Sequence, residues 1–257
     1  MNEDLTKAQK DYAVFLPAVS SFYSTFIGKQ RFGPYVDPAR IPAGFTNGVE
    51  GLNFLDPEAG YFYYKWCLYS AGHADLDLTR ISEKEDMFRN RPRNGNSIVV
   101  GDSGGFQIGK GVWEGDWKNP NCPKAQKKRE QVLAWMDAYM DRGMILDIPA
   151  WVSRSPAAQK ATGISTYQEA VQGTYINNDY FMRNRTGRCK FLNVLQGENH
   201  MEADDWYEQM KKYCDPKQYS QPFEGWAMGG QNMCDVHLLL RRLVALRFDG
   251  LLERGQH

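Results

Sequence analysis

Short apolar runs of strand length alternate along this chain with segments in which apolar side chains recur every three or four residues. The alternation is most regular after position 97, where each apolar run ends beside glycine, proline or a polar residue and a helix-like segment follows. Apolar runs predict strands at 13–19, 97–100, 144–148, 191–195 and 225–228, and we allow one unrecognised strand within 46–55. Helical spacing predicts helices at 61–69, 124–142, 167–175, 206–213 and 237–247.

Strands that are apolar on both faces and separated by amphipathic helices indicate βα units on a parallel sheet, closed as a barrel or open and doubly wound. The length of 257 residues favours a (β/α)8 TIM barrel, which typically takes about 250 residues. The strand count reaches about six βα units, two short of a closed barrel. We therefore expect residues 1–257 to form one α/β barrel domain, in which either strands are missed or the C-terminal strands are absent.

The composition excludes several classes of protein. Apolar residues make up 42% of the chain and charged residues 24%, which is typical of a folded domain and excludes a disordered chain. Lysine and arginine together number 31, as do aspartate and glutamate, so any nucleic-acid binding must depend on a local patch. The five cysteines contain no CxxC pair, which favours reduced thiols in the cytoplasm over disulfides or a zinc cluster. No apolar run approaches the roughly 20 residues that span a bilayer, so no membrane partner is expected.

Four predicted strands end in a polar or acidic residue beside glycine or proline. These strand ends are Asp102-Ser103-Gly104-Gly105-Phe106-Gln107, Asp147-Ile148-Pro149, Gln196-Gly197 and Gly229-Gly230-Gln231. Each sequence alone is most often a turn or a helix cap. Because a βα barrel builds its active site at the carboxyl ends of its strands, the four together predict a functional site at that edge.

The motif at 102–107, followed by Gln196-Gly197 and then Gly229-Gly230, resembles the tRNA-guanine transglycosylase family, in which such motifs occur in this order around a (β/α)8 barrel. The segment 22–93 and the lack of a cysteine zinc cluster are more similar to the phage and bacterial branch that inserts 7-deazaguanine bases into DNA. The resemblance implies a pentosyltransferase that exchanges guanine in a polynucleotide for a base such as 7-cyano-7-deazaguanine, without a cofactor or a catalytic metal. DNA is the first choice of polymer and tRNA the second, and a phage-encoded chain would act in the host cytoplasm.

The resemblance also implies roles for the first motif. Asp102 matches the catalytic proton acceptor, which also contacts the base. Phe106 matches an aromatic ring that stacks on the flipped base. The remaining residues shape the turn or contact the base; they are Ser103, Gly104, Gly105 and Gln107.

The later motifs match the groups that read the base. Asp147 matches an aspartate that accepts hydrogen bonds from N1–H and the 2-amino group of guanine, which adenine could not supply. Gln196 and the backbone N–H of Gly230 match donors to the oxygen at position 6, and Gly197 and Gly229 complete these two turns.

One expected group is not matched. The family's nucleophilic aspartate lies well beyond the Gly-Gly motif, and Asp249 is too close to that motif to correspond and is more simply a helix-end residue. The chain is therefore predicted to be truncated or one part of a split protein, with a homodimer or a partner subunit as further options. Two rival functions stay open: a noncatalytic nucleic-acid-binding subunit, and a barrel enzyme that uses Asp102 and Asp147 as magnesium ligands.

Basic residues cluster at 89–93, 124–129 and 183–190. Such runs are mostly solvated helix faces. Because the first and third clusters flank strands that carry motifs, a role in tracking phosphates is a further hypothesis for them.

Overall fold

The computed structural model is an α/β structure and describes residues 13–32, 36–91 and 93–252. The strands are β1 (Trp66–Ser70), β2 (Ile98–Asp102), β3 (Arg142–Met144), β4 (Lys190–Leu195) and β5 (Gly225–Met228). The helices are α1 (Ser21–Phe32), α2 (Asp86–Arg89), α3 (Gly105–Gly109), α4 (Pro123–Tyr139), α5 (Pro156–Thr162), α6 (Tyr167–Asn184), α7 (His200–Met210) and α8 (Val236–Phe248). Short 3-10 helices occupy Pro38–Arg40, Gly48–Leu52, Glu83–Glu85, Ala150–Arg154, Lys211–Cys214 and Gly230–Met233.

The five strands form one parallel sheet whose spatial order follows the chain, β1-β2-β3-β4-β5. Ala18 adds a single parallel bridge to Leu68 on the outer side of β1. In a doubly wound sheet the strand order reverses at a switch point, and the described strands show no such reversal. The order is compatible with part of an α/β barrel.

The sheet is buried because helices cover it. β2 places Val99 and Val100 in the core, and Trp135 and Met136 of α4 are fully buried in the same apolar cluster. Local sequence explains where the long helices start. For example, Thr166 and Glu169 form a reciprocal capping box at the start of α6.

The predicted helix over 61–69 is wrong, because this region contains β1. Asp56 does cap a turn, since its Oδ1 accepts hydrogen bonds from the backbone N–H groups of Glu58 and Ala59. No helix follows this turn. Residues of β1 instead alternate between buried and half-buried, with Cys67 and Tyr69 in the core, and this period of two belongs to a strand.

Other boundaries also differ from prediction. The run 13–19 contributes only the bridge at Ala18, flanked by Pro17, which has no N–H to donate to a ladder. The segment 46–55 contains the 3-10 helix Gly48–Leu52 rather than a strand. The predicted helix 124–142 ends at Tyr139, and the chain enters β3 at Arg142. Gly143 lies inside this strand, where a side chain would collide with Met136.

Two further elements are shorter than predicted. The strand predicted at 144–148 is observed as β3 at Arg142–Met144. One more backbone hydrogen bond follows it, from the N–H of Ile145 to the carbonyl of Leu192 at 3.0 Å. The predicted helix 206–213 divides into the end of α7 at Met210 and a 3-10 turn. No helix among the described residues is both long enough and apolar enough to cross a membrane.

Candidate active site

A cavity of about 410 Å³ opens at the carboxyl edge of the sheet. It is built by the residues that follow β2, β3, β4 and β5, so the four predicted strand ends do converge. The polar side chains that line it belong to Asp102, Asp147, Gln196, Glu198 and Gln231. Its apolar lining comes from Phe106, Met144, Pro149, Trp151, Val194, Ala227, Met228 and Met233.

Asp147 and Gln196 form a hydrogen-bonded pair on the cavity wall. Gln196 donates from Nε2 to Asp147 Oδ2 at 2.6 Å, and both residues are buried, with 5% and 6% of their surfaces exposed respectively. Burial raises the pKa of the Asp147 carboxyl to about 7; the charge of Asp102 adds to this rise, and the hydrogen bond from Gln196 opposes it. Asp147 therefore changes charge near neutral pH.

Buried polar groups of α6 hold the segment that carries Asp147. The backbone N–H of Ile148 donates to the hydroxyl of Thr174 at 3.0 Å, and Asn177 donates from Nδ2 to the carbonyl of Leu146 at 2.6 Å. Both α6 side chains are fully buried. The backbone on either side of Asp147 is thereby fixed to a long helix, which keeps its carboxylate aimed at the cavity.

Glycines let the strand ends approach the Asp147–Gln196 pair closely. A Cβ at Gly105 would lie 2.6 Å from the carbonyl oxygen of Asp147, and one at Gly229 would lie 2.5 Å from Gln196 Nε2. Gly230 adopts φ +57°, a left-handed conformation that favours glycine, and a Cβ there would lie 2.8 Å from Gln196 Oε1. These glycines are needed by the local packing around the pair.

Asp102 is the last residue of β2, and its carboxylate is fixed from β1. Ser70 donates from its hydroxyl to Asp102 Oδ2 at 2.5 Å, because the two residues are register partners in the parallel ladder. The backbone N–H of Gly104 donates to Asp102 Oδ1 at 3.4 Å. Gly104 has φ +81°, and this turn leads directly into α3.

Two exposed apolar side chains border the cavity. Phe106 is 57% exposed and Met233 is 67% exposed, although both are large and apolar. The ring of Phe106 lies 6.1 Å from that of Trp151, tilted by 59°. The cavity is therefore bordered by flat or flexible apolar groups that could cover a planar ligand.

The structure does not bring every predicted residue to the cavity. Ser103 is fully buried, and its Oγ has no hydrogen-bond partner among the described residues. Gln107 lies against Gly72, whose Cβ would be 2.2 Å from Gln107 Nε2. Gly197 packs on Ala203 at the start of α7. These residues, and Gly104, support the turns without lining the cavity.

Several residues of the site were not predicted from the sequence. Ser70, which holds Asp102 from β1 without lining the cavity, was missed because its strand was predicted to be a helix. Glu198 directly follows Gln196-Gly197, and its carboxylate accepts no hydrogen bond from the described residues. Trp151 and Met233 carry no motif signal, since an isolated aromatic or methionine is most often a core residue.

Asp249 and the basic clusters both lie away from the cavity. Asp249 lies outside the cavity lining at the end of α8, where it accepts hydrogen bonds from Tyr207 and Lys211, as expected of a helix-end residue.

The basic clusters 89–93 and 183–190 precede β2 and β4, so they lie at the opposite edge of the sheet from the cavity. Arg91 is buried and pairs with Asp141 at 2.7 Å. The hypothesis that these two clusters track phosphates stays a prediction, at the edge of the sheet opposite the cavity.

The acidic side chains of the described residues do not cluster as a metal site requires. Among residues 13–32, 36–91 and 93–252, no three His, Cys, Asp or Glu side chains converge closely enough to hold a metal ion. Asp102 and Asp147 therefore lack a third such ligand within the described part of the chain.

Compared with known proteins, the chain matches no protein-family model, no curated sequence and no solved structure.

Proposed function

We propose that this chain exchanges a guanine base in a polynucleotide, DNA in the first place and tRNA in the second, for a 7-deazaguanine such as its 7-cyano form. The observation that carries the proposal is the pair formed by Asp147 and Gln196 on the wall of the cavity at the carboxyl edge. A planar base of this kind suits the cavity volume of about 410 Å³.

The pair offers a hydrogen-bonding edge that is complementary to guanine. The amide of Gln196 is a donor, and beside it the ionised carboxylate of Asp147 offers two acceptor oxygens. Guanine and its 7-deaza analogues present an acceptor at O6 followed by two donors, N1–H and the 2-amino group. Adenine presents an amino group followed by an acceptor at N1, so it would leave Asp147 unpaired, and that mismatch is costly in a buried site.

Phe106 and Met233 support the same interpretation. Both side chains line the cavity although they are largely exposed, so each offers apolar surface to a base. A base inside a duplex or a stack could not reach this cavity, so the target nucleotide must be flipped out first. Such flipping is least costly in a single-stranded region.

Double displacement at the sugar would retain its configuration. We assign the nucleophile to Glu198 and the proton transfer to Asp102. The carboxylate of Glu198 has no partner among the described residues, whereas Asp102 is stabilised by the hydrogen bond from Ser70. Glu198 attacks C1′ as the C1′–N9 bond breaks, and guanine leaves as an anion that takes a proton from solvent water. N9 of the incoming base then attacks C1′ as the bond from C1′ to Glu198 breaks, its proton passes to the carboxylate of Asp102, and Asp102 returns that proton to solvent.

We also infer that the sheet is part of a (β/α)8 barrel of the transglycosylase type. Its strands run parallel in chain order, and the cavity lies at the carboxyl edge, where such barrels build their sites. The resemblance of 102–107, 194–197 and 227–230 to the transglycosylase family supports the same inference.

The experiment is incorporation of a radiolabelled 7-deazaguanine into DNA and into tRNA by the purified chain. Label is expected in DNA with the wild-type chain and in neither polymer with Asp102→Asn. The Asp147→Asn variant tests the base-reading role separately, because it should lose the preference for guanine over adenine as the displaced base. Absence of label in both polymers would reject the proposal, and full discrimination by Asp147→Asn would remove the assigned role of that residue.

A further inference from the structure

A second cavity, of about 840 Å³, lies beside the first and shares Trp151 with it. Its other walls are the turn that follows α3, the segment 114–116 and the helix α5. It has about twice the volume of the first cavity, which measures about 410 Å³, so it can hold more than one group of nucleobase size. The two cavities therefore meet at Trp151.

Lysines supply the charge of the second cavity. Lys110, Lys124 and Lys160 line it, together with Glu114 and Asp116. Lys124 lies 3.4 Å from Glu114 and is thereby partly neutralised. Among the described residues, Lys110 and Lys160 lie within salt-bridge distance of no carboxylate. Two ammonium groups are therefore available to an anion that enters the cavity.

The remaining carboxylate, that of Asp116, is partly buried in the wall of the cavity. Asp116 buries its Oδ1 atom, and a Cβ at Gly163 would lie 2.6 Å from that atom. This oxygen is therefore packed against the wall at Gly163, whereas Lys110 and Lys160 are exposed.

Lys110 lies at the boundary between the two cavities. Its ammonium group is 5.2 Å from the ring centroid of Phe106 and 6.0 Å from that of Trp151. Attraction between a cation and an aromatic ring at these distances holds the charge near both rings. A ligand whose base rests on Phe106 therefore has a fixed positive charge beside it, on the side of the second cavity.

We propose that the second cavity binds the phosphodiester backbone next to the flipped nucleotide, through Lys110 and Lys160. The proposal rests on the proposed function, because it assigns the flipped base to the first cavity. A cationic groove beside exposed aromatic rings is the usual arrangement for holding a single strand without reading its sequence. The backbone is the ligand that fits both observations, since it carries repeated negative charges and extends from the base site into the larger space.

The test measures strand binding and base binding separately. Fluorescence anisotropy follows a labelled single strand of about 12 nucleotides that contains one guanine, as DNA and as RNA, over a series of salt concentrations. The variants are Lys110→Gln, Lys160→Gln and the double variant. Lys217→Gln is the matched control, because Lys217 is exposed and lies before β5, at the opposite edge of the sheet.

Each cavity variant is expected to weaken strand binding roughly three- to tenfold and to reduce the slope of log K against log salt by about 0.7 per lost contact. The control should match the wild-type chain. A double variant with wild-type affinity and slope overturns the proposal, and so does guanosine 5′-monophosphate binding as tightly as the strand. Stronger binding of DNA than of RNA would favour DNA as the polymer.

A calorimetric titration with free 7-cyano-7-deazaguanine tests the proposed function alone. The lysine variants should bind the free base as the wild-type chain does. If no chain binds the free base while strand binding still depends on Lys110 and Lys160, the base-exchange proposal fails and the phosphodiester assignment stands.

Discussion

Ser70 and Asp102 are register partners at the carboxyl ends of two neighbouring parallel strands, and the Ser70 hydroxyl donates to the Asp102 carboxylate at 2.5 Å. The same hydroxyl accepts a hydrogen bond from the backbone N–H of Gly72 at 3.1 Å. Ser70 therefore connects the turn after β1 to the carboxylate of Asp102. Its contribution to base exchange would be indirect, through the orientation of Asp102.

Replacing Ser70 by alanine should lower kcat roughly tenfold, which corresponds to about 1.4 kcal/mol, because the carboxylate of Asp102 loses the group that orients it. The dissociation constant of the free base should stay unchanged, since Asp147 and Gln196 remain in place. Ser70→Thr keeps the hydroxyl and should recover most of the rate. Equal losses in the alanine and threonine variants would show that Ser70 has only a structural role.

The charge of Asp147 predicts how base binding depends on pH. Its pKa is raised to about 7, so the carboxylate is protonated below that pH and ionised above it. Only the ionised form can accept from both N1–H and the 2-amino group. The affinity for 7-cyano-7-deazaguanine should therefore increase as pH rises through 7 and level off above. Calorimetry between pH 5 and 8 checks this, and Asp147→Asn should show no such rise.

The same ionisation should affect stability in the opposite direction. Since the folded-state pKa lies above the ordinary value of 3.8, the folded chain binds the extra proton between these two values, and stability falls as pH rises through this window. Asp147→Asn avoids that loss. From pH 5 to pH 7 the free energy of unfolding of the wild-type chain should therefore fall by about 2–3 kcal/mol relative to that of the variant. Urea titrations at the two pH values measure the difference, and a constant difference would contradict it.

Gly229 offers a way to disturb the Asp147–Gln196 pair without straining the backbone. Its φ of −122° is accessible to alanine, while the added Cβ would lie 2.5 Å from Gln196 Nε2. Gly229→Ala should displace the amide of Gln196, lower base affinity at least tenfold and destabilise the fold by about 1–3 kcal/mol, because the buried Asp147 loses its partner. Gly44→Ala is the control, because a Cβ there meets no atom within 4 Å. Unchanged base affinity in Gly229→Ala would argue against the pair as the base-reading edge.

The strand ends that build the cavity could be predicted because each follows an apolar run, and the carboxyl ends of parallel strands meet at one edge. Asp102, Asp147, Gln196 and Gly230 were located in this way, and all of them line the cavity. Ser70 was not, because the aromatic run before it lacks a clear period and Asp56-Pro57 indicated a helix. Tertiary burial of alternate residues, which the sequence pattern does not display, decided that this segment is a strand.

The second cavity could not be predicted for a different reason. Lys110 and Lys160 are isolated lysines 50 positions apart, and they line one space only because α3 packs against α5. Of the basic clusters that the sequence does display, 124–129 contributes only Lys124 to this cavity, and the other two lie before β2 and β4. Clustering along the chain therefore located one of the three lysines of this cavity.

The assignment of Glu198 as nucleophile predicts a covalent adduct that depends on one carboxylate. Incubating the chain with a labelled DNA strand in the absence of free base should let the adduct accumulate, and a denaturing gel should reveal it. Glu198→Gln should abolish it, because the amide cannot displace guanine from C1′. Asp102→Asn should still form the adduct, because Asp102 accepts a proton only when the incoming base attacks, and should slow release of the adduct by free base by roughly a hundredfold or more, since proton transfer typically contributes about 10²–10⁴ to the rate. Glu224→Gln, a change of an exposed carboxylate directly before β5, serves as the control and should leave the adduct intact. The reverse pattern, with the adduct lost in Asp102→Asn and retained in Glu198→Gln, would exchange the two roles.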